Sequence, residues 1–250
     1  MKNINPVRSQ TLRSNLIKQH NQENAGLLRK PTASLTSNGA KAILFDFHGT
    51  LAYHKKKIDT KKLCQFLRNK GFDVYHQEWE ATVKYVFFVD FPKGEINNWK
   101  DFQKKIFERL NIEADKNILR KLVKYCKENQ KIEFYPDATI IKRLPFKKAI
   151  ITTIPKFNFS HLDLSDFDFI MTGREAGRAK PHPDCFLKTL RKLGVKPSQA
   201  IMVGNDIDID INPAKKLGIK TILIDRDGLF KNYKGLKIKS LKELPKLLNK

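Results

Sequence analysis

A chain of 250 residues can bury one good-sized core, or a core with a smaller cap, and an apolar fraction of 40% is ordinary. No stretch approaches the ~18 apolar residues of a membrane span, and the scattered Cys64, Cys126 and Cys185 give neither a disulfide framework nor metal-ligand spacing, which points to a reducing compartment. The net charge of +23 suits an anionic substrate, but the lysines are spread along the chain, so contact with nucleic acid is expected only through non-specific charge.

Residues 1–40 differ from the rest. They carry six Lys/Arg and one acid, Glu23, among many Asn, Ser and Gln, with no sustained periodicity. The composition predicts a disordered basic segment. A transit-type signal and a misassigned start near Lys41 are the competing readings. A cytoplasmic protein is expected, or an organelle-targeted one if this segment acts as a transit signal.

Ala42-Ile43-Leu44-Phe45 then reads as a buried strand over about 42–46, ending in the tight turn Asp46-Phe47-His48-Gly49-Thr50-Leu51. Ligands bind at the carboxyl ends of strands in open α/β sheets, and a carboxylate held there can act as a nucleophile. Asp46 can equally be a simple turn former. From Thr60 to about residue 130 the pattern is helical. Thr60 can cap a helix carrying Leu63, Phe66 and Leu67, which Gly71 ends. Trp99, Phe102, Ile106 and Leu110 repeat at helical spacing after Asn98, and Ile118, Leu119, Leu122 and Cys126 do the same. These stripes, and Phe87, Phe88 and Phe91, read as packing.

After residue 146 strands and helices alternate, with strands near 148–152, 168–172, 200–204 and 220–224. The first ends in the hydroxyls of Thr152 and Thr153. Lys180 lies in Glu175-Ala176-Gly177-Arg178-Ala179-Lys180-Pro181-His182-Pro183, a connection stiffened by proline, with His182 as a turn residue. Asp184 can cap a helix bearing Phe186, Leu187, Leu190 and Leu193. The strand near 200–204 turns at Gly204 into Asn205-Asp206-Ile207-Asp208-Ile209-Asp210. Clustered oxygens at a strand end suit Mg²⁺, while an Asp-rich turn can instead cap the next helix, the part assigned to Asp208. A helix over about 212–217 ends at Gly218. Ile238-Lys239-Ser240-Leu241 suggests a short strand, then a helix capped by Ser240. The alternation predicts a parallel sheet with helices on both faces.

These four segments, in this order, resemble the motifs of the haloacid dehalogenase (HAD) superfamily hydrolases: D-x-D-G-T-L, a strand ending in Ser or Thr, E-x-G-x-x-K-P-x-P, and V-G-D-S-x-x-x-D-I. The resemblance covers roughly residues 41–249. It implies a Rossmann-like core over 41–54 and 136–250, with a helical C1-type cap over 55–135. It further implies a Mg²⁺-dependent phosphatase acting on a small phosphate monoester through an aspartyl-phosphate intermediate. Asp46 would be the nucleophile. Thr152 and Lys180 would bind the phosphate, Lys180 as a flexible point charge. Asp46, the His48 carbonyl, Asn205, Asp206 and Asp210 would surround the metal.

Two positions depart from the pattern. His48 replaces the usual acid/base Asp, and Asn205 replaces the first acid of the last motif. An imidazole can do general acid–base work, so His48 is kept as a catalytic candidate. The alternatives are a 2-haloacid dehalogenase-like hydrolase, whose leaving halide needs no proton, and a non-catalytic HAD-fold binding protein. The dehalogenases of the family use an early-cap Arg that has no counterpart at a matching place here. Neither the substrate nor the oligomeric state is legible.

Overall fold

The computed structural model describes residues 39–113 and 115–248; the N-terminal basic segment lies outside them up to residue 38. Strand β1, Ala42–Phe45, leads through the Asp46 turn into β2, Ala52–Lys56. Four helices follow: α1, Thr60–Arg68; α2, His76–Tyr85; α3, Trp99–Arg109; and α4, Lys116–Asn129. Strand β3, Lys131–Phe134, returns the chain to β4, Lys147–Thr152, and β5, Phe169–Thr172. After the one-turn α5, Gly173–Ala176, come α6, Pro183–Leu193, and β6, Ala200–Gly204. The chain closes with α7, Asn212–Lys216; β7, Lys220–Ile224; β8, Lys237–Ile238; and α8, Leu244–Leu248.

Six strands form one parallel sheet in the order β5-β4-β1-β6-β7-β8. A parallel sheet is covered on both faces, so its central strands are apolar throughout. Successive side chains of β1 serve opposite faces. Ile43 and Phe45 join a core with Phe47, Ile150, Val203 and Ile224. Ala42 and Leu44 join the other, with Met202, Phe186 and Leu190. The expected α/β sheet with helices on both faces is the observed architecture.

The helices α1–α4 build a third apolar cluster around Leu63, Trp79, Trp99, Phe102, Ile106 and Leu122. The periodic stripes of the sequence supply this core. The Asn98 carboxamide accepts from the Lys100 and Asp101 amides and so fixes the start of α3; such a cap is worth about 1 kcal/mol. This layer rests on the sheet layer through Phe157, whose ring centroid is 5.5 Å from that of Trp99 and 6.2 Å from that of Phe102. Arg174 of α5 adds a bond to the Asn97 carboxamide at 2.5 Å. Among the described residues no helix is long and apolar enough to cross a membrane.

Three local expectations change. The cap of α1 is Asp59, one residue before Thr60, because Asp59 Oδ1 accepts from the Lys62 amide while the Thr60 hydroxyl turns to Glu80. His182, read as a turn residue, caps α6 by accepting from the Asp184 amide, which leaves Asp184 in the first turn. The segment expected as a helical cap over 55–135 has strand at both ends, since β2 runs to Lys56 and β3 begins at Lys131, and the two pair antiparallel with Ala52 opposite Phe134 and His54 opposite Ile132.

Candidate active site

Asp46 leaves the carboxyl end of β1, the strand flanked by β4 and β6, so the ends of three buried strands surround it. Lys180 reaches it from the loop before α6. Its side chain is buried, and Nζ donates to Asp46 Oδ1 and Asp210 Oδ1, each at 2.6 Å. Burial acts to lower the pKa of the ammonium, but the charges of Asp210 and Asp46 outweigh that and hold it above the usual value. Burial, and then the nearby charge of Asp46, push the Asp210 carboxyl upward as well, against the charge of Lys180. The other oxygen of Asp210 accepts from the Asp206 amide at 3.1 Å. Gly204 is required for this approach, since a Cβ there would lie 2.5–2.7 Å from the Asp210 side chain.

The second oxygen of Asp46 faces Asn205. One end of the Asn205 carboxamide lies 3.1 Å from Asp46 Oδ2, 3.2 Å from the His48 carbonyl and 3.2 Å from the Thr50 hydroxyl. With its oxygen at that end it accepts from the Thr50 hydroxyl; with its nitrogen there, two N–H groups face the three oxygens. Gly49 lies against it, with φ +88° and room for no side chain, because a Cβ would meet the amide at 2.5 Å. One end of a single carboxamide thus faces a carboxylate oxygen, a carbonyl and a hydroxyl. Oxygens bound about 2.0–2.1 Å from a Mg²⁺ lie roughly 3 Å apart along the edges of its octahedron. The donor set fits such an ion, provided Asn205 turns its oxygen inward.

The remaining expected residues are placed differently. Asp206, rather than Asp208, caps the turn Ile207–Ile211, its Oδ1 accepting from the Asp208 and Ile209 amides. Asp208 is exposed and meets only the Asn212 amide group, at 3.4 Å. Thr152 is buried at the end of β4, and its hydroxyl accepts from the Ile154 amide at 3.0 Å. The His48 ring packs against His54 of β2, ring centroids 4.4 Å apart. Burial holds His48 below the ordinary value of 6.5, although Asp46 pulls the other way. Burial lowers His54 to about 4, and the charges of His48 and Lys57 add to the effect.

Two parts of this site escaped the sequence reading. One is His54, hidden in a polar strand. The other is Arg226, just past β7, which donates to the Thr50 carbonyl at 2.7 Å and to both oxygens of Asp137, stacked 3.7 Å over the Tyr135 ring. Its position at the carboxyl edge of the sheet was the available signal.

The site is thus a lysine-bridged Asp pair at the carboxyl edge of a Rossmann-like parallel sheet, under a helical layer. A family model described as a haloacid dehalogenase-like hydrolase matches residues 40–218. The chain belongs to that family. It is similar to a phosphoglycolate phosphatase of Aquifex aeolicus, 32% identical over 189 residues, 73% of this chain and 84% of the relative. A glyceraldehyde 3-phosphate phosphatase of Methanocaldococcus jannaschii is 39% identical over 83 residues, 31% of this chain and 36% of the relative. Among solved structures, a HAD phosphatase of Thermococcus onnurineus superposes with a TM-score of 0.56 at 25% identity, over 83% of this chain and 97% of its own. A 2-haloacid dehalogenase of Pseudomonas syringae gives 0.62 at 18% identity, over 84% and 98%, a likeness of fold alone.

Proposed function

We propose that the chain is a Mg²⁺-assisted phosphatase that cleaves small phosphate monoesters through an aspartyl-phosphate at Asp46. The observation that carries this reading is the division of labour at Asp46: one carboxylate oxygen is held by Lys180, and the other joins the His48 carbonyl and the Thr50 hydroxyl around the Asn205 carboxamide. The named relatives acting on phosphate esters support it.

A carboxylate oxygen of Asp46 attacks phosphorus, the ester P–O bond breaks, and the alkoxide leaves, taking its proton from solvent water. Water then attacks the phosphoryl group, the Asp46 O–P bond breaks, and inorganic phosphate leaves with Asp46 regenerated. Lys180 neutralises charge between the nucleophile and the phosphoryl oxygens, and the Thr152 hydroxyl, which accepts from the Ile154 amide, keeps its own hydrogen to donate to them. His48 is the acid–base candidate: its ring is neutral near pH 7 and fit to accept the proton of the attacking water. Asp46, the His48 carbonyl and Asn205 would hold the metal, with Asp206 and Asp210 shaping the loop behind them. When bound, a Mg²⁺ supplies charge neutralisation at the phosphoryl oxygens.

The test is phosphate release from a panel of monoesters with and without Mg²⁺. Asp46→Asn is expected to abolish release while circular dichroism stays unchanged. Full activity in that variant overturns the nucleophile assignment. Halide released from 2-haloacids, with no phosphate released from any ester, would replace this reading by dehalogenation.

A further inference from the structure

The His48–His54 pair contains more than the acid–base step requires. Strand β2 fixes His54 opposite Ile132, and the bond from the Gly49 amide to the Ala52 carbonyl, 2.7 Å, ties β2 to the catalytic turn. The two rings are therefore held together, tilted by 48°. His48 Nε2 and His54 Nδ1 are both buried, and neither has a hydrogen-bond partner. A buried polar atom left unpaired costs about 1–3 kcal/mol, so two on adjacent rings beside the nucleophile call for a group that completes them.

The surroundings define that group. Lys57, the residue after β2, brings its charge close enough to act on both rings, and the charge of Asp46 acts on His48 as well. A cation is disfavoured beside that ammonium, and among the described residues no cluster of three His, Cys, Asp or Glu side chains forms there or elsewhere. An anion fits.

We propose that His48, His54 and Lys57 form the leaving-group subsite, and that it selects phosphate esters whose alcohol carries a second acidic group, a carboxylate or another phosphate. His54 is then a specificity-determining residue supplied by β2. The inference rests on the phosphatase reading for the word "ester", but binding tests it without turnover.

Isothermal titration of the full chain with three inert ligands reads the subsite directly: ethylphosphonate, with no second acid; phosphonoacetate, with a carboxylate; and methylenediphosphonate, with a second phosphonate. The wild type is expected to bind one of the acidic ligands about tenfold or more tightly than ethylphosphonate, the strength of a hydrogen bond to a charged group. The preferred ligand names the acid. His54→Phe should collapse the ratio towards one, and His54→Gln should restore part of it. Lys57→Met, at an exposed position that does not threaten the fold, should weaken the preference in the same direction. Equal binding of all three ligands overturns the proposal, as does a preference that survives both His54→Phe and Lys57→Met. Phosphate release from p-nitrophenyl phosphate separates the two readings. Release without a ligand preference sinks the subsite alone. A preference without release from any ester sinks the phosphatase and leaves an acid-reading site.

Discussion

Asn205 stands where a carboxylate would add a charge, and its neutral carboxamide faces the three oxygens that a cation would gather. Affinity for a hard cation rises with the charge of its ligands. Asn205→Asp should therefore tighten Mg²⁺ binding about tenfold or more. It should also cost the metal-free protein about 1–3 kcal/mol, since a carboxylate has no N–H to offer the three oxygens. Melting curves with and without Mg²⁺ check both halves, because the metal-induced shift must grow while the metal-free midpoint drops. His48 makes a separate prediction. As the base for the attacking water, His48 serves the step that every ester shares. His48→Ala should therefore cut the turnover of alkyl phosphates and of p-nitrophenyl phosphate alike, by about 10²-fold or more. Unchanged turnover of both would make His48 a spacer whose carbonyl is its only contribution.

The elements around the site are tied by a second buried charge pair. Asp137 accepts from Arg226, the Ser240 hydroxyl and the Leu241 amide, and so joins the loop after β3 to the ends of β7 and β8. Burial raises its pKa, but these donors and the Arg226 charge outweigh that and hold it below the ordinary 3.8. A carboxyl depressed on folding stabilises the protein above its unfolded pKa, and that contribution is lost as pH falls through the folded one. Asp137→Asn should cost about 3–5 kcal/mol at pH 7, where it leaves Arg226 without its anion. The gap to wild type should close below about pH 3.8, as the wild-type carboxyl takes up its own proton. Thermal melts from pH 7 to pH 3 test this, and a gap independent of pH would assign the cost to packing. At this scale the sequence was read well where apolar residues recur: β1, β4, β6 and β7, and the stripes of α3 and α4, each fall within a residue or two of expectation. It was read poorly at β2 and β3. Their segments, AYHKK and KIEF, are polar and lie far apart in the chain, so only tertiary pairing reveals them as strands. The caps moved by one or two residues because Asp59 competes with Thr60, and His182 with Asp184, for the same amides.

Across the whole molecule, a chain of net charge +23 is matched to a substrate that carries a phosphate. Such a field raises capture rates and is screened by salt, with a Debye length of about 10 Å at 0.1 M. kcat/KM should fall roughly several-fold between low and half-molar salt while kcat holds, since screening acts on encounter and not on chemistry; a flat kcat/KM would show that the spread lysines do not steer. The site was legible to the extent that the topology of the sheet is simple. Asp46, Lys180 and Asp210 converge because parallel strands bring their carboxyl ends to one edge, and motifs spaced along the chain become neighbours there. What stayed hidden depends on side-chain direction: Asp206 turns to its own backbone amides, Asn205 turns to Asp46, and His54 turns to His48.

The pairing of β2 with β3 has a consequence for how the chain can be taken apart. Lys56 stands opposite Lys131, so the segment that builds α1–α4 departs and returns at neighbouring points on one ladder. A short turn joining those two lysines would close β2 and β3 into a hairpin and leave every strand of the parallel sheet in place. The helical layer thus joins the rest of the chain by two adjacent ends, and replacing it with one of different shape would leave in place the order of the parallel strands, at whose carboxyl edge Asp46, Lys180 and Asp210 meet.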